Sequence, residues 1–389
     1  MNIAFDAKRA YLNNSGLGSY SRTLIKSLNK YYPQNNYTLF TTKVTESDFQ
    51  RYVASQKNIT VNQPESFIDK KIRARWRSYG ITEQLEKNKV DVYHGLSNEL
   101  PFNIKNFKGK KIVTVHDLIF LRQPNLYPLV DGKIYNKKFR HACDIADTII
   151  AISEETKADI ERYYFIPSDK IKVVYQSCDE LYYQHISQEQ LDGVKEKYNL
   201  PTDFLFYVGT IEERKNLLTI VKALKKVKDV PLVVAGRKTT YFKTIMKYLQ
   251  ENNLKDRVIF LNSVNGADLP AMYRLAKIFI LPSVLEGFGI PIIEALTSKT
   301  PTITTRGGCF PEAGGPDTIY VNPNDENELA EQINFLLNSE STCRQMAENG
   351  FEYAQRFHPE KVTKQLMALY SGVQPINNHY QITPSLEKI

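Results

Sequence analysis

The sequence lacks the marks of a secreted or membrane-spanning chain. Its 389 residues include four cysteines, none of them in a C-x-x-C pair, so we expect reduced thiols and a cytoplasmic protein. No stretch approaches the roughly eighteen consecutive apolar residues of a membrane span. The first twelve residues carry Asp6, Lys8 and Arg9, where a secretory signal would have an apolar core.

The chain also has little to suggest a nucleic-acid partner. Zinc-finger spacing, an RNP-type aromatic motif and a lysine-rich tail are all missing, although these are the usual signs of such binding. The formal net charge is nevertheless +8, with a pI near 9.0. This excess suits an anionic partner, and a phosphorylated ligand or an anionic membrane surface is favoured over a nucleic acid.

Short β-branched runs alternate with segments of helical spacing along the chain. This alternation predicts an α/β fold with parallel sheets covered on both faces, in which ligands bind beyond the carboxyl ends of the strands. It pauses in the polar stretch 178–198, so we predict two domains, residues 1–178 and 179–357, followed by a closing helix in 358–373 and a polar tail, 374–389. The predicted strands are 3–5, 38–40, 90–93, 112–115, 148–152, 171–174, 204–208, 232–235, 258–260, 278–281 and 302–304.

The most informative segment follows the predicted strand 278–281. Gly287 and Gly289 let the backbone approach a ligand closely, and Pro291 is suited to open a helix whose free N–H groups attract an anion. Glu286 and Glu294 stand eight positions apart in this segment. Carboxylates there would bind the hydroxyl groups of a ribose or a hexose and not a phosphate. The alternative is that Glu294 caps the helix and Glu286 is solvated.

A second segment follows the predicted strand 204–208. Gly209 ends the strand, and Arg214 and Lys215 stand just before a helix, where cations are unfavourable unless an anion lies between them and the helix dipole. A diphosphate would satisfy both cations, each charged hydrogen bond contributing about 1.5–3 kcal/mol. Two solvated surface cations are the alternative.

Two weaker motifs lie in the first half of the chain. Gly16 and Gly18 join the opening strand to a helix, but a G-x-G pair alone is a weak motif, and the third glycine of the dinucleotide fingerprint is absent. His116 and Asp117 follow the predicted strand 112–115. A histidine at a strand end is more often structural than catalytic, yet this one is expected to face the cleft.

Together these motifs resemble the retaining glycosyltransferases of family 4. The resemblance rests on the two glutamates around Gly-Phe-Gly, the run 209–216, the Val-His-Asp-Leu run 115–118 and the early Gly-Leu-Gly. It extends to Pro311-Glu312 with the following Gly314, and to the closing helix, so it covers most of the chain. It implies the GT-B architecture, two Rossmann-like parallel-sheet domains facing a central cleft, with the closing helix crossing back onto the first domain.

The resemblance also implies an activity, the transfer of a hexose to a saccharide or lipid-linked acceptor in surface polysaccharide synthesis. The best guess for the hexose is mannose, carried by guanosine diphosphate in the donor. Glu294 would bind the ribose, Glu286 the transferred sugar, and His116 would sit over that sugar. Arg214 and Lys215 would neutralise the departing phosphate. The remaining residues expected at substrate are Gly16, Gly18, Asp117, Gly209, Gly287, Phe288, Gly289, Ile290 and Glu312.

No cofactor is expected, because the nucleotide sugar is a substrate. Some transferases hold a divalent metal with an Asp-x-Asp motif, and no two aspartates here are spaced that way, so we expect a metal-independent site. The chain departs from the family at 176–179, Gln-Ser-Cys-Asp, and at Gly308-Cys309 before the Pro-Glu pair. An epimerase or phosphorylase of the same architecture, or a non-catalytic nucleotide-sugar-binding module, are the alternatives.

The basic segment, residues 68–79, bears on the acceptor. At helical spacing its apolar residues Ile68, Ile72, Trp76 and Tyr79 would line one face of a helix. Such a helix can lie on an anionic membrane, each cation contributing about 1 kcal/mol; the alternative is that the apolar face packs on the first domain. The cations of the segment are Lys70, Lys71, Arg73, Arg75 and Arg77.

Overall fold

The computed structural model describes residues 1–373, without the side chains of Phe67, Ile68 and Leu129. The predicted tail 374–389 lies outside the described residues. Two wholly parallel sheets form the described chain, with strand orders β3-β2-β1-β4-β5-β6-β7 and β10-β9-β8-β11-β12-β13. The strands are β1 (Asn2–Asp6), β2 (Asn36–Phe40), β3 (Ile59–Asn62), β4 (Val92–Gly95), β5 (Lys110–Val115), β6 (Thr148–Ala151), β7 (Ile171–Val173), β8 (Leu205–Val208), β9 (Leu232–Ala235), β10 (Val258–Leu261), β11 (Ile278–Leu281), β12 (Thr302–Thr305) and β13 (Ile319–Val321).

Helices cover both sheets, as the alternation predicts. They are α1 (Lys8–Leu12), α2 (Gly16–Tyr31), α3 (Asp48–Ser55), α4 (Phe67–Lys71), α5 (Arg73–Arg75), α6 (Ile81–Lys87), α7 (Ile119–Arg122), α8 (Leu129–Ile145), α9 (Glu154–Tyr164), α10 (Gln188–Lys197), α11 (Leu217–Ala223), α12 (Phe242–Glu251), α13 (Leu269–Leu275), α14 (Ile290–Thr297), α15 (Phe310–Gly314), α16 (Glu326–Leu337), α17 (Glu340–Ala354) and α18 (Pro359–Ser371). The predicted α/β fold with two parallel sheets is confirmed.

Two strands were not predicted, and both are sheet edges. Within residues 1–373, β3 pairs with β2 alone and β13 with β12 alone, and each strand is partly exposed. Central strands such as β11 are buried along their whole length and read as continuous apolar runs. β3 mixes polar and apolar residues and β13 has only three residues, so neither stands out in the same way.

The last described helix, α18, packs against the first sheet. Its residues Val362 and Leu366 are buried in the same apolar cluster as Ile3 and Phe5 of β1. The hydroxyl of Tyr370 lies 2.7 Å from Nδ1 of a buried histidine of β4, His94. The chain therefore crosses between the domains twice, once after β7 and once before α18.

The two crossing segments pack on each other. The ring of Tyr175, in the first crossing, stacks on Phe288 with centroids 5.3 Å apart and lies 5.6 Å from Phe357 in the second crossing. The rings of Tyr183 and His358 meet edge-on at 4.7 Å. Together these aromatic contacts form a joint between the domains.

The prediction that the basic segment forms one amphipathic helix is wrong. The chain runs through α4 and α5 and then a π-helical turn at Trp76–Gly80, which alters the rotation per residue. Trp76 is buried in the first domain, whereas Ile72 and Tyr79 are half exposed, so they share no apolar face. Ile68 lies outside the described side chains.

Arg77 also differs from the expectation of a surface cation. Its side chain is 11% exposed, its Nε donates to Asp6 at 2.7 Å, and its Nη1 donates to Glu99 at 2.6 Å. The two carboxylates provide the partners that a buried arginine needs. Among the described residues, no helix is long and apolar enough to cross a membrane.

Candidate functional site

Three charged side chains from two segments of the second domain meet in one cluster. Lys215 Nζ and Arg214 Nη1 each donate to one oxygen of Glu286, Arg214 at 3.1 Å. The Glu286 side chain is only 10% exposed. Burial alone would raise the pKa of Glu286, but the charges of Lys215 and Arg214 outweigh it and bring that pKa to about 2. The carboxylate is therefore ionised throughout the physiological range.

The turn before α11 holds the two cations in place. Asn216 adopts a left-handed conformation, with φ 57°, which asparagine tolerates better than most residues. Its Nδ2 donates to the carbonyls of Pro282 and Pro323, at 3.0 and 2.6 Å, while the carbonyl of Arg214 accepts from the amide of Val284 at 2.9 Å. These bonds tie the turn to the loop that carries Glu286.

The glycine loop before α14 touches the first domain. A Cβ atom on Gly287 would lie 2.1 Å from the carbonyl oxygen of His116, so any side chain there would push the domains apart. The Gly287 carbonyl accepts from Ser153 Oγ at 2.9 Å. Gly289 has φ 111° and precedes Ile290, the first residue of α14. The loop thus lies against the first domain through its backbone, which a glycine allows, and its predicted contact with a ligand stays a prediction.

His116 is buried, and both of its ring nitrogens are bonded. Nε2 donates to the carbonyl of Leu96 at 2.8 Å, and Nδ1 accepts from Nε2 of Gln176 at 3.0 Å. Burial lowers the pKa of His116 to about 4, so the ring is neutral near pH 7. In this conformation the ring links the end of β5 to the first crossing segment, and its catalytic role stays a prediction.

Asp117 approaches the cluster from the first domain. Burial raises the pKa of Asp117 overall, although the hydrogen bond from the Ile119 amide and the charge of Arg214 act in the opposite direction. A residue of the first domain therefore lies within electrostatic reach of the cations of the second. The predicted contact of Asp117 with substrate stays a prediction.

Glu294 has partners other than those of Glu286. The hydroxyl of Tyr273 donates to its Oε2 at 2.9 Å. Burial raises the pKa of Glu294 to about 7, which the hydroxyls of Tyr273 and Tyr182 only partly offset. The pKa is therefore lowered at Glu286 and raised at Glu294. The predicted contact of Glu294 with a ribose stays a prediction.

Glu312 forms a contact between the domains. Its carboxylate accepts from the backbone amides of Glu154 and Glu155, at 2.7 and 3.3 Å, and so caps the N-terminus of α9 in the first domain. Burial raises the pKa of Glu312 to about 7, although these amide bonds act in the opposite direction. Its predicted contact with substrate stays a prediction.

The other predicted residues lie at strand ends or helix starts. Gly18 packs on the preceding turn, because a Cβ there would lie 1.8 Å from the carbonyl oxygen of Asn13, whereas Gly16 faces open space. A Cβ on Gly236 would lie equally close to the carbonyl oxygen of Gly209. Phe288 is buried and stacked on Tyr175, so its side chain is not available to a ligand.

Two family descriptions match this chain. Residues 14–180 match Glycosyltransferase Family 4, and residues 190–353 match Glycosyl transferases group 1. The matches divide the chain as its two sheets do. The chain belongs to the glycosyltransferases of group 1 and family 4.

Curated relatives of this glycosyltransferase include bacterial mannosyltransferases. It is 26% identical over 285 residues to O-antigen chain mannosyltransferase B of Escherichia coli, covering 72% of this chain and 74% of the relative. It is 31% identical over 226 residues to the O-antigen chain mannosyltransferase RfbU of Salmonella typhimurium, covering 57% and 59%. It spans only about a third of the serotype-specific mannosyltransferase WbdA of Escherichia coli, at 26% identity over 69% of this chain.

Solved structures share the fold of the glycosyltransferase over almost its whole length. The Anabaena protein HepE in complex with UDP-glucose superposes with a TM-score of 0.76 at 16% identity, covering 96% of this chain and all of the other. WaaG, a glycosyltransferase involved in lipopolysaccharide biosynthesis, gives a TM-score of 0.69 at 15% identity, with the same coverage. The GT-B architecture is thereby confirmed.

Other residues that shape the site of this glycosyltransferase had no predicted role. Asn216 and Gln176 belong to segments that the sequence singled out, and the asparagine in a turn was a usable indication. Ser153 and Cys309 were harder to find, because each acts on a distant loop. The Cys309 thiol lies 3.3 Å from the carbonyls of both Glu286 and Phe288, so it braces the glycine loop.

Proposed function

We propose that this glycosyltransferase moves a mannosyl group from a nucleotide-diphosphate donor, with guanosine diphosphate as the first choice, and retains the anomeric configuration. The observation that carries the proposal is the cluster of Glu286, Arg214 and Lys215 at the edge of the cleft. It offers two cations and one permanently charged carboxylate within the span of one sugar diphosphate. The similarity to the O-antigen mannosyltransferases of Escherichia coli and Salmonella typhimurium supports mannose as the sugar.

The proposed mechanism is a change of partners within this cluster. Breaking the bond between the sugar and the diphosphate places negative charge on the leaving phosphate, and cations positioned there stabilise the transition state. When Lys215 and Arg214 turn to the phosphate, the Glu286 carboxylate is released to accept hydrogen bonds from the sugar hydroxyls. A neutral His116 would add no competing charge beside the sugar.

The same cations would make a metal unnecessary in this proposal. Arg214 and Lys215 supply the positive charge that a divalent ion supplies in other transferases. Burial lowers the pKa of Arg214, but Glu286 and Glu212 outweigh burial and hold it above its ordinary value. The guanidinium therefore remains charged near neutral pH.

We further propose a saccharide or lipid-linked acceptor in surface polysaccharide synthesis, met by a cytoplasmic enzyme at the inner face of the membrane. The basic segment keeps an exposed part around Ile72, and α8 exposes Val130 and Ile134. Glu99 accepts from both Arg77 and Lys138 of α8, at 2.6 and 3.2 Å, and so joins the two elements. The exposed cations of the segment are Lys70, Lys71, Arg73 and Arg75.

The experiment for the donor is a screen of nucleotide sugars by thermal stabilisation, followed by mass analysis of the products with and without a saccharide acceptor. Stabilisation by one mannosyl donor, and an acceptor product heavier by one hexose, are the expected results. A changed nucleotide sugar that forms without any acceptor, together with an acceptor of unchanged mass, would favour an epimerase. Lys215→Ala serves as the inactive reference, and Lys243→Ala, a change of an exposed cation on α12, as its matched control.

A further inference from the structure

A cavity of about 520 Å³ lies on the first domain beside the first crossing segment. This volume falls within the roughly 300–1,000 Å³ of small-molecule sites. Helices α2 and α3 form one wall, and the short helical turn Glu180–Tyr183 forms the other. Arg214, Lys215 and Glu286 are not among its lining residues, so the catalytic cluster does not explain it.

The charges that line the cavity balance each other. Lys26 and Lys30 come from α2, and Asp179 and Glu180 come from the crossing segment. Lys30 Nζ and Glu180 Oε2 form an ion pair at 2.5 Å. An anionic ligand would meet the two carboxylates, and a cationic ligand would meet the two ammonium groups. The lining therefore favours a ligand without net charge.

One buried acceptor in the wall of the cavity, the side-chain oxygen of Asn29, lacks a hydrogen-bond donor among the described residues. Asn29 is 6% exposed, and its Nδ2 donates to Tyr52 Oη and Gln56 Oε1, both at 2.9 Å. Its Oδ1 has no hydrogen-bond partner among the described residues. Buried polar atoms are rarely left unpaired, because the lost bond to water is costly. The Oδ1 atom is shielded from solvent in this conformation, so a ligand hydroxyl would supply the missing donor after a small shift of the Asn29 side chain.

We propose that this cavity binds a neutral saccharide, outside the site where sugar transfer occurs. The inference rests on the proposed function, since a saccharide acceptor is what would bring such a ligand to the protein. The remaining lining agrees with it, because the amides and hydroxyls there both donate and accept, as sugar hydroxyls do. These further residues are Thr23, Ser27, Asn58 and Gln184.

The cavity is also placed to communicate with the donor side of the enzyme. Glu180 lines the cavity, and Tyr182, two residues later in the same turn, lies against Glu294. A saccharide in the cavity would hold this turn against α2 of the first domain. The site would then bind part of the saccharide acceptor and, at the same time, restrict movement at the joint between the domains.

The test is calorimetry on the full chain without donor, using a neutral mannose oligosaccharide as the probe. Saturable binding is expected, weakened at least fivefold by Gln56→Ala and by Lys26→Trp, which fills the cavity. The control Gln250→Ala, on the exposed surface of α12, should bind as the unchanged protein does. Thermal unfolding checks that each variant is folded.

The outcomes separate this inference from the proposed function. Lys215→Ala should lose transfer and keep oligosaccharide binding. Oligosaccharide binding unchanged in both cavity variants, no binding at all, or tighter binding of spermidine or inorganic phosphate would overturn the cavity site, even if transfer is observed. Binding that the cavity variants weaken, in a protein that transfers no sugar from any nucleotide donor, would support the cavity site while the transferase proposal fails.

Discussion

Replacing Lys215 by alanine removes one of the two cations that hold the Glu286 carboxylate. Burial acts against ionisation of that carboxylate, yet Lys215 and Arg214 bring its pKa from 4.5 to about 2, a net preference for the charged form on the order of 3 kcal/mol. The same two cations would act on a leaving phosphate. Losing one charged contact in a transition state costs about 3–4 kcal/mol, so we expect turnover to fall at least a hundredfold.

The assay is the rate of sugar transfer at saturating donor, with the affinity for the bare nucleoside diphosphate measured alongside. Arg214→Ala should act in the same direction but more weakly. Lys243→Ala controls for the loss of one positive charge far from the cluster. A rate for Lys215→Ala within a factor of a few of the unchanged enzyme would refute the phosphate role.

Four further outcomes are expected. Glu294→Ala should weaken binding of the bare nucleoside diphosphate, whereas Glu286→Ala should spare that binding and lose transfer; calorimetry showing equal losses would contradict the assignment. Activity should survive millimolar chelator, and loss that only a divalent ion reverses would exclude a metal-independent site. Replacing the four exposed cations of the basic segment with glutamine should reduce salt-sensitive sedimentation with anionic liposomes but spare donor hydrolysis, and equal binding to neutral liposomes would count against a membrane surface. The pKa of Glu312 is raised to about 7, so the folded state loses stability as pH rises from about 4.5 to 7; Glu312→Gln should flatten this part of the pH–stability curve, and an unchanged slope would assign it to other groups.

The sequence predicts those parts of the site that depend on single strand ends. Arg214, Lys215 and Glu286 each follow a buried parallel strand, and such strands bring their carboxyl ends to one edge of a sheet. The continuous apolar runs of β8 and β11 predict the carboxyl ends of these two strands to within a residue or two. For this reason the two segments could be placed at one edge of the second sheet from the sequence, whereas the ion pairs between Glu286 and the two cations were not predicted.

Contacts between the domains could not be predicted in the same way. Glu312 caps α9 from 158 positions further along the chain, and the bond from Gln176 to His116 depends on the path of the crossing segment. Trp76 shows a different limit: one π-helical turn moved it into the core and left Tyr79 half exposed. Helical spacing assumes 3.6 residues per turn, and the residue types at positions 76–80 do not indicate that the chain forms a π-helical turn there.

The double crossing between the domains limits how they can move. A domain attached by one segment of chain can rotate in any direction. Two attachments that lie side by side restrict the rotation to one axis. Here that axis would run through the aromatic joint, where Tyr183 meets His358 and Tyr175 meets Phe357. Opening and closing would then be described by a single angle. One distance between a marker on each domain would report the whole movement.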